Sequence, residues 1–151
     1  MGYYVTANGE ITVPAANVEA AYRAVCALNA RHELKNGGRS PANETKPADS
    51  RSNGDPNKWF SWMAWNYDET CATLTEVFTE VGFDTVTADN GDVIIGYYDS
   101  KTGNEGDFLD AVAPYAAPGV GHYWRGESGE QWRDTYENGK REEHYGTVIY
   151  G

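Results

Sequence analysis

Three Asn-Gly dipeptides stand between runs of β-prone residues, and they constrain the fold of this chain more than any other feature. They occur at Asn8-Gly9, Asn90-Gly91 and Asn138-Gly139. Both residue types tolerate a positive φ, so this pair is the strongest short-range signal for a tight β-hairpin. The sequence therefore predicts hairpins over 3–13 and 83–98, and a third turn near the C-terminus.

That third turn belongs to a predicted meander of three strands. The strands are expected over 121–126, 130–137 and 140–150, and Gly146 interrupts the last of them. A glycine inside a strand weakens it, so 140–150 is expected as either one strand or two shorter strands.

Three other stretches follow the 3.6-residue period of a helix. The first begins at Asn17 and is expected to end at Asn36-Gly37-Gly38. The second is capped by Asn66 or Asp68 and ends at Gly82, with Asn66 and Glu69 forming a capping box. The third covers 105–115. The apolar stripes are Val18, Ala21, Tyr22, Val25 and Leu28, then Cys71, Leu74, Val77, Phe78 and Val81, then Phe108, Leu109, Val112 and Tyr115.

Hairpins with helices between them predict an α+β fold. The expected architecture is an antiparallel sheet, built from hairpins and the C-terminal meander, with about three helices packed on one face. A length of 151 residues fits one domain over 1–151.

A polar insertion is predicted at 36–57. Apart from proline, it contains no apolar residue larger than alanine, and it exceeds the usual length of a connection in a compact domain. It is either a tolerated surface insertion or a loop that orders on a partner or covers a site.

Tryptophans recur every third residue at Trp59, Trp62 and Trp65. This spacing is the period of neither a strand nor a regular helix, so 58–67 is predicted as an extended or irregular segment that enters a strand. The spacing leaves open whether the segment lies in the core or on the surface.

The overall charge excludes several classes of function. There are 23 acidic and 12 basic residues, giving a formal net charge of −11. Such a chain is not expected to bind nucleic acid by neutralising phosphates or to adhere to an anionic membrane. No apolar run is long enough to span a bilayer, and no signal peptide is visible. With only Cys26 and Cys71, whose pairing the sequence does not exclude, the expected location is a reducing compartment.

Acidic residues are concentrated in the middle of the chain. Residues 66–110 hold eleven acids and one base, so this segment carries almost the whole net charge. If these acids share one face, the face would attract a basic protein surface; otherwise they serve solubility. The predicted acidic face comprises Asp68, Glu69, Glu76, Glu80, Asp84, Asp107 and Asp110.

Aromatic residues make up 13% of the chain. Tyrosine and tryptophan provide large contact areas at low entropic cost, so they either fill the core or mark a binding surface. With neighbouring arginines they would also stack on a small nucleotide. The candidate aromatic and ligand-binding residues are Trp59, Trp62, Trp65, Trp124, Arg125, Trp132 and Arg133.

No catalytic or metal-binding motif is present. His32, His122 and His144 lack partners at the spacing of zinc ligands, and no phosphate-binding loop or nucleophile motif occurs. The expectation is a non-enzymatic protein without a catalytic residue, metal or cofactor.

Three motifs carry a family resemblance. They are Trp59-Phe60-Ser61-Trp62-Met63, the run from Tyr98 to Gly103 (YDSKTG), and Trp124-Arg125-Gly126-Glu127 followed by Gln131-Trp132-Arg133. Together they resemble small acidic accessory proteins of tailed bacteriophages, especially those of actinobacterial hosts. This family has no assigned activity, so the resemblance transfers no site residue.

The resemblance implies expression in the bacterial cytoplasm during infection and action on a host or defence component. The resulting hypothesis is a binding protein that engages a basic host surface through its acidic face and aromatic residues. The alternative is a protein that binds or sequesters a small nucleotide. The sequence does not specify an oligomeric state.

Overall fold

The computed structural model describes residues 3–35 and 57–146, and it confirms the α+β class. The strands are β1 (Tyr4–Gly9), β2 (Ile11–Val13), β3 (Phe83–Thr87), β4 (Val93–Lys101), β5 (Gly119–Gly126), β6 (Gln131–Glu137) and β7 (Lys140–Tyr145). The helices are α1 (Val18–Leu28), α2 (Tyr67–Thr70), α3 (Leu74–Val81) and α4 (Glu105–Val112). Single 3₁₀ turns cover Ala15–Asn17, His32–Leu34 and Ala113–Tyr115.

All strand pairs in the sheet are antiparallel. β4 pairs with β3 along one edge and with both β1 and β2 along the other. β1 then pairs with β5, and β5, β6 and β7 form the predicted meander. Local hairpins therefore build both ends of the sheet, whereas the N-terminal strands are inserted between them.

The hairpin predicted at Asn8-Gly9 is wrong. β1 and β2 do not pair with each other but continue along the same edge of β4, where Ala7 lies opposite Tyr98 and Ile11 opposite Ile95. Gly9 has φ +90°, and its positive φ produces a bulge rather than a reversal. The nine-residue strand β4 offers pairing along the whole N-terminal segment, which a hairpin would have left unused.

The Asn-Gly dipeptides at 90–91 and 138–139 form turns as predicted. Asn138 and Gly139 have φ values of 54° and 75° and connect Glu137 directly to its partner Lys140. Positive φ at both positions is the signature of a type I′ turn. Gly91, at φ 94°, closes the connection between β3 and β4.

Two predicted helices have different bounds in the structure. The first ends at Leu28, well before Asn36-Gly37-Gly38, which lie outside the described residues. The second is divided into α2 and α3, and Asn66 makes no side-chain cap. The capping threonine is Thr73, whose Oγ1 accepts a hydrogen bond from Glu76 N at 3.1 Å. The predicted stripe from Cys71 to Val81 is nevertheless buried.

The tryptophan segment does not enter a strand. Residues 58–66 form irregular turns that lead into α2. Trp59, Phe60 and Met63 are almost wholly buried, and Trp59 packs edge-on against Phe108 of α4. The segment therefore fills part of the core beneath the helices, where hydrophobic contact, rather than strand pairing, fixes its shape.

The helices cover one face of the sheet. Side chains buried on that face include Val5, Ala7, Ile95, Tyr98 and Trp124, while Tyr97 and Tyr123 are exposed. None of the described helices is long and apolar enough to cross a membrane. Except for Asn57, the predicted insertion at 36–57 lies outside the described residues, as does the end of the last predicted strand.

Candidate functional site

A row of aromatic side chains crosses β5, β6 and β7 on the helix-covered face. Trp124 lies opposite Trp132, which lies opposite Tyr145. The two indole planes are parallel to within 1°, with ring centroids 5.9 Å apart. Tyr145 continues the row: its ring centroid lies 5.9 Å from that of Trp132, and the two planes are inclined by 29°. Trp124 is 4% exposed and Tyr145 is 71% exposed. The row therefore leads from the core to the solvent.

A buried ion pair lies beside this row. Arg141 Nη1 is 3.0 Å from Asp134 Oδ1, and Trp124 Nε1 donates to the other carboxylate oxygen at 2.9 Å. Arg141 also contacts Asp110 of α4 at 2.8 Å and Glu143 at 3.4 Å. One guanidinium thus holds three carboxylates and joins the last hairpin to the helices α1–α4, which we call the helical layer.

The charges of this group favour the ionised arginine. Burial acts against the charge of Arg141, but the carboxylates of Asp134 and Asp110 outweigh it and raise the pKa of the guanidinium. Burial also raises the pKa of the Asp134 carboxyl, although Arg141 and the Trp124 indole oppose that shift.

The N-terminus of α4 contributes two further carboxylates. Glu105 is 6% exposed; it accepts hydrogen bonds from the Thr102 hydroxyl and, at 2.5 Å, from Gly103 N. Asp107 accepts from Asn104 Nδ2 at 2.6 Å. Burial raises the pKa of both carboxyls, and these hydrogen bonds oppose the rise.

These side chains enclose a cavity between α4 and the β6–β7 hairpin, which we call the acidic cleft. Its volume is about 320 Å³. Among the residues that the structure describes, the cleft is lined by Thr102, Gly103, Glu105, Gly106, Asp107, Asp110, Trp124, Trp132, Arg141, Glu143 and Tyr145. The lining has four carboxylates and one guanidinium, which is already paired, so the cleft attracts cations and repels anions. Its aromatic wall also suits a cation with a flat, apolar face.

The residues of the predicted acidic face do not all lie together. Asp68 and Glu69 lie on α2, Glu76 and Glu80 on α3, and Asp107 and Asp110 on α4. Asp84 is exposed on the strand β3 and does not belong to a helix. The helices α2, α3 and α4 contain seven acidic residues and no lysine or arginine.

Several of these acids have internal partners. Asp110 pairs with Arg141, and Glu76 accepts from Ala72 N at 2.6 Å as part of the α3 cap. Asp68 accepts from Asn29 Nδ2 at 2.8 Å. The solvent-facing charge of the helical layer is therefore smaller than the number of its acidic residues suggests. Of these acids, Glu69 and Glu80 have side chains that take no part in the described hydrogen bonds and ion pairs.

The candidate residues Trp59, Trp62 and Trp65 differ widely in solvent exposure. Trp59 is buried and donates to Asn29 Oδ1 at 3.0 Å. Trp62 is 38% exposed, stacks on Phe60 and donates to Val81 O at 3.0 Å. Trp65 is 56% exposed and borders a cavity of about 600 Å³ that also touches Lys35 and Asn57, at the ends of the two described ranges.

The structure brings only part of the predicted nucleotide-binding group together. Trp124, Trp132 and Arg133 border a shallow cavity of about 340 Å³ at the ends of β5–β7, together with His144 and Tyr145. Arg125 is not among its lining residues, and Trp62 and Trp65 lie elsewhere.

Sequence reasoning missed Glu105, Asp134, Arg141, Glu143 and Tyr145. The signal that locates the four of them in the last hairpin is the two-residue turn at Asn138-Gly139, because its register places Asp134 opposite Glu143 and Trp132 opposite Tyr145. Glu105 lies on α4 and has no such signal. Among the described residues, no group of three or more His, Cys, Asp or Glu side chains is arranged to hold a metal ion.

Comparison with known proteins adds no family to this description. No protein-family model matches the chain, and no curated protein or solved structure shows significant similarity to it. The resemblance to phage accessory proteins therefore stays a prediction.

Proposed function

We propose that this protein is a non-enzymatic binding protein that engages a basic protein surface through its helical layer. The observation that carries this proposal is the charge of α2, α3 and α4, which hold seven acids and no basic residue. The remaining helix, α1, carries Glu19 and Arg23, which pair with each other at 2.6 Å, so the four helices together are negatively charged. Such a surface steers a positively charged partner and opposes anionic ones. The acidic cleft at the edge of this layer supplies partly buried aromatic side chains, which contribute strongly to protein interfaces.

The biological setting in this proposal follows from the sequence motifs. The protein acts in the cytoplasm of a bacterial cell during phage infection, and its partner is a host or defence protein. Nucleic acid is not a direct ligand, because the net charge of −11 opposes contact with phosphates.

The test is capture of a partner from bacterial lysate with charge-reversed variants. Glu69→Lys with Glu80→Lys changes the net charge of the helical layer by four units, from two negative to two positive side chains, without touching the α3 cap or the Arg141 group. Glu10→Lys with Glu137→Lys makes the same change on the strand side of the molecule. We expect the helical variant to lose the partner and the strand variant to retain it. Equal retention by both variants would overturn the proposal.

A second candidate function is supported by the cavity that Trp132, Arg133 and His144 share. An aromatic ring beside an arginine suits a small nucleotide, whose base stacks while its phosphate pairs with the guanidinium. A nucleotide at 100 times its Kd would stabilise the protein by about 2.7 kcal/mol. Thermal unfolding with cyclic and linear nucleotides tests this, with Arg133→Gln expected to abolish the stabilisation and Arg125→Gln expected to leave it unchanged.

A further inference from the structure

The two walls of the acidic cleft differ in chemistry. One wall is aromatic, formed by Trp132 and the largely exposed ring of Tyr145, whose centroids lie 5.9 Å apart and whose planes are inclined by 29°. The other wall is made of carboxylates from α4 and β7, including Asp107 and Glu143. A ligand that fits both must combine positive charge with a face that packs on an aromatic ring.

The internal ion pairs show which cation the carboxylates accept. The guanidinium of Arg141 lies between Asp110, Asp134 and Glu143 at 2.8, 3.0 and 3.4 Å. Its planar fork contacts several carboxylates at once, which the compact ammonium of lysine does less well. The cleft therefore already holds one guanidinium at its inner end.

The outer part of the cleft retains uncompensated negative charge. Arg141 is the only basic residue among the described lining residues, whereas Glu105, Asp107, Asp110 and Glu143 all line it. Crowded carboxylates in a partly buried site repel one another, and burial raises the pKa of Glu105 and Asp107. A second cation would relieve this repulsion, and it would bind more tightly as the pH rises and these carboxyls ionise.

We propose that the acidic cleft binds the guanidinium group of an arginine side chain on the partner protein, packed against the exposed ring of Tyr145 beside Trp132 and hydrogen-bonded to Glu143 and Asp107. This inference rests on the proposed function, because it names the chemical group through which the basic partner is anchored. The cavity of about 320 Å³ has room for one such side chain.

The test uses a single small probe on the full-length chain. N-acetyl-arginine methylamide presents the side chain alone, and the citrulline analogue has the same shape without charge. From its size we expect a Kd of about 1 mM for the arginine probe. In NMR titrations, the indole N–H signal of Trp132 should move with the arginine probe and stay in place with the citrulline probe. An unmoved signal with arginine, or equal movement with citrulline, would overturn the proposal.

Matched variants locate the binding. Glu143→Gln removes one cleft carboxylate and should weaken arginine binding about fivefold. Tyr145→Leu removes the exposed ring and should weaken it about threefold. Glu142→Gln makes the same chemical change at the neighbouring position of β7, whose side chain points to the other face of the sheet, and should leave the Kd unchanged. If Glu142→Gln weakens binding as much as Glu143→Gln, the site is not the cleft.

The two proposals fail in different ways. If the arginine probe binds in the cleft but charge reversal of the helical layer leaves partner capture unchanged, the proposed function is wrong and the arginine site stands. If capture depends on the helical layer but the arginine probe leaves the Trp132 signal in place, the arginine site is wrong and the proposed function stands.

Discussion

Arg141 lies 3.0 Å from Asp134 where the two side chains are only 8% and 0% exposed. The pair joins β6 and β7, the two strands of the last hairpin, and Arg141 also contacts Asp110 on α4. A buried ion pair adds little net stability by itself, but removing one partner leaves the other charge uncompensated. The pair is therefore a point at which the fold is vulnerable to substitution.

We predict that Arg141→Met destabilises the protein by about 3–5 kcal/mol, because it leaves Asp134 buried without its counter-charge. Arg133→Met is the matched control, since Arg133 is exposed on β6 and its loss should change stability by about 0.5 kcal/mol or less. Urea denaturation of both variants measures the difference. Similar midpoints for the two variants would show that the buried pair does not contribute as described.

A second prediction concerns the bulge between β1 and β2. A Cβ atom at Gly9 would lie 2.5 Å from the carbonyl oxygen of Gly121, in addition to the strain of φ +90°. Gly129 has a similar φ of +94° but open space around it. Gly129→Ala should therefore cost about 1 kcal/mol, from backbone strain alone.

Gly9→Ala should cost at least about 2 kcal/mol more than Gly129→Ala, because the backbone of β5 must move away. Thermal and urea unfolding of the two variants give the comparison directly. Equal losses would mean that the close approach of β1 to β5 relaxes easily and that only the φ of Gly9 matters.

Local sequence patterns predicted the elements of this fold better than their connections. The stripe of Leu74, Val77 and Phe78 is buried as its period requires. Asn138-Gly139 forms the turn that its residue types favour, whereas Asn8-Gly9 forms a bulge. The dipeptide alone does not distinguish the two, because a bulge and a type I′ turn both use glycine at positive φ. Only the availability of β4 as a partner distinguishes the two outcomes, and that is a tertiary property.

The candidate site was only partly predictable for the same reason. Trp124 and Trp132 were recognised as an aromatic group, and Asp107 and Asp110 as acids of α4. Their meeting with Arg141 and Glu143 depends on α4 packing against β7, a contact between segments about thirty residues apart. The hairpin register from Asn138-Gly139 was the one available signal for Glu143 and Tyr145.

A third prediction concerns the cap that separates α2 from α3. Thr73 accepts a hydrogen bond from Glu76 N at 3.1 Å, and Glu76 in turn accepts one from Ala72 N. Thr73→Ala should destabilise the protein by about 1 kcal/mol, whereas Thr73→Ser, which retains the hydroxyl, should be close to wild type. Urea denaturation distinguishes the two. A Thr73→Ser variant as unstable as Thr73→Ala would attribute the effect to packing of the threonine methyl group.

The fourth prediction is a pH dependence that arises from His122. This side chain is wholly buried, its Nε2 donates to Gly96 O at 2.8 Å, and its Nδ1 has no partner among the described residues. Burial lowers the pKa of His122 to about 4, and the backbone hydrogen bond to Gly96 opposes this shift. The unfolded chain has a histidine pKa of about 6.5, so between these values the unfolded state binds more protons than the folded state.

The neutral histidine therefore contributes its full stability above about pH 6.5, and roughly 3 kcal/mol of it is lost as the pH falls to about 4. His122→Gln retains an N–H donor and does not titrate. The free energy of unfolding of wild type should exceed that of His122→Gln at pH 7, and the gap should shrink by about 3 kcal/mol at pH 4. The buried carboxyls of Glu105 and Asp134 titrate in both proteins, so their contribution cancels in this comparison. A gap that is independent of pH would show that His122 protonates in the folded state as easily as in the unfolded chain.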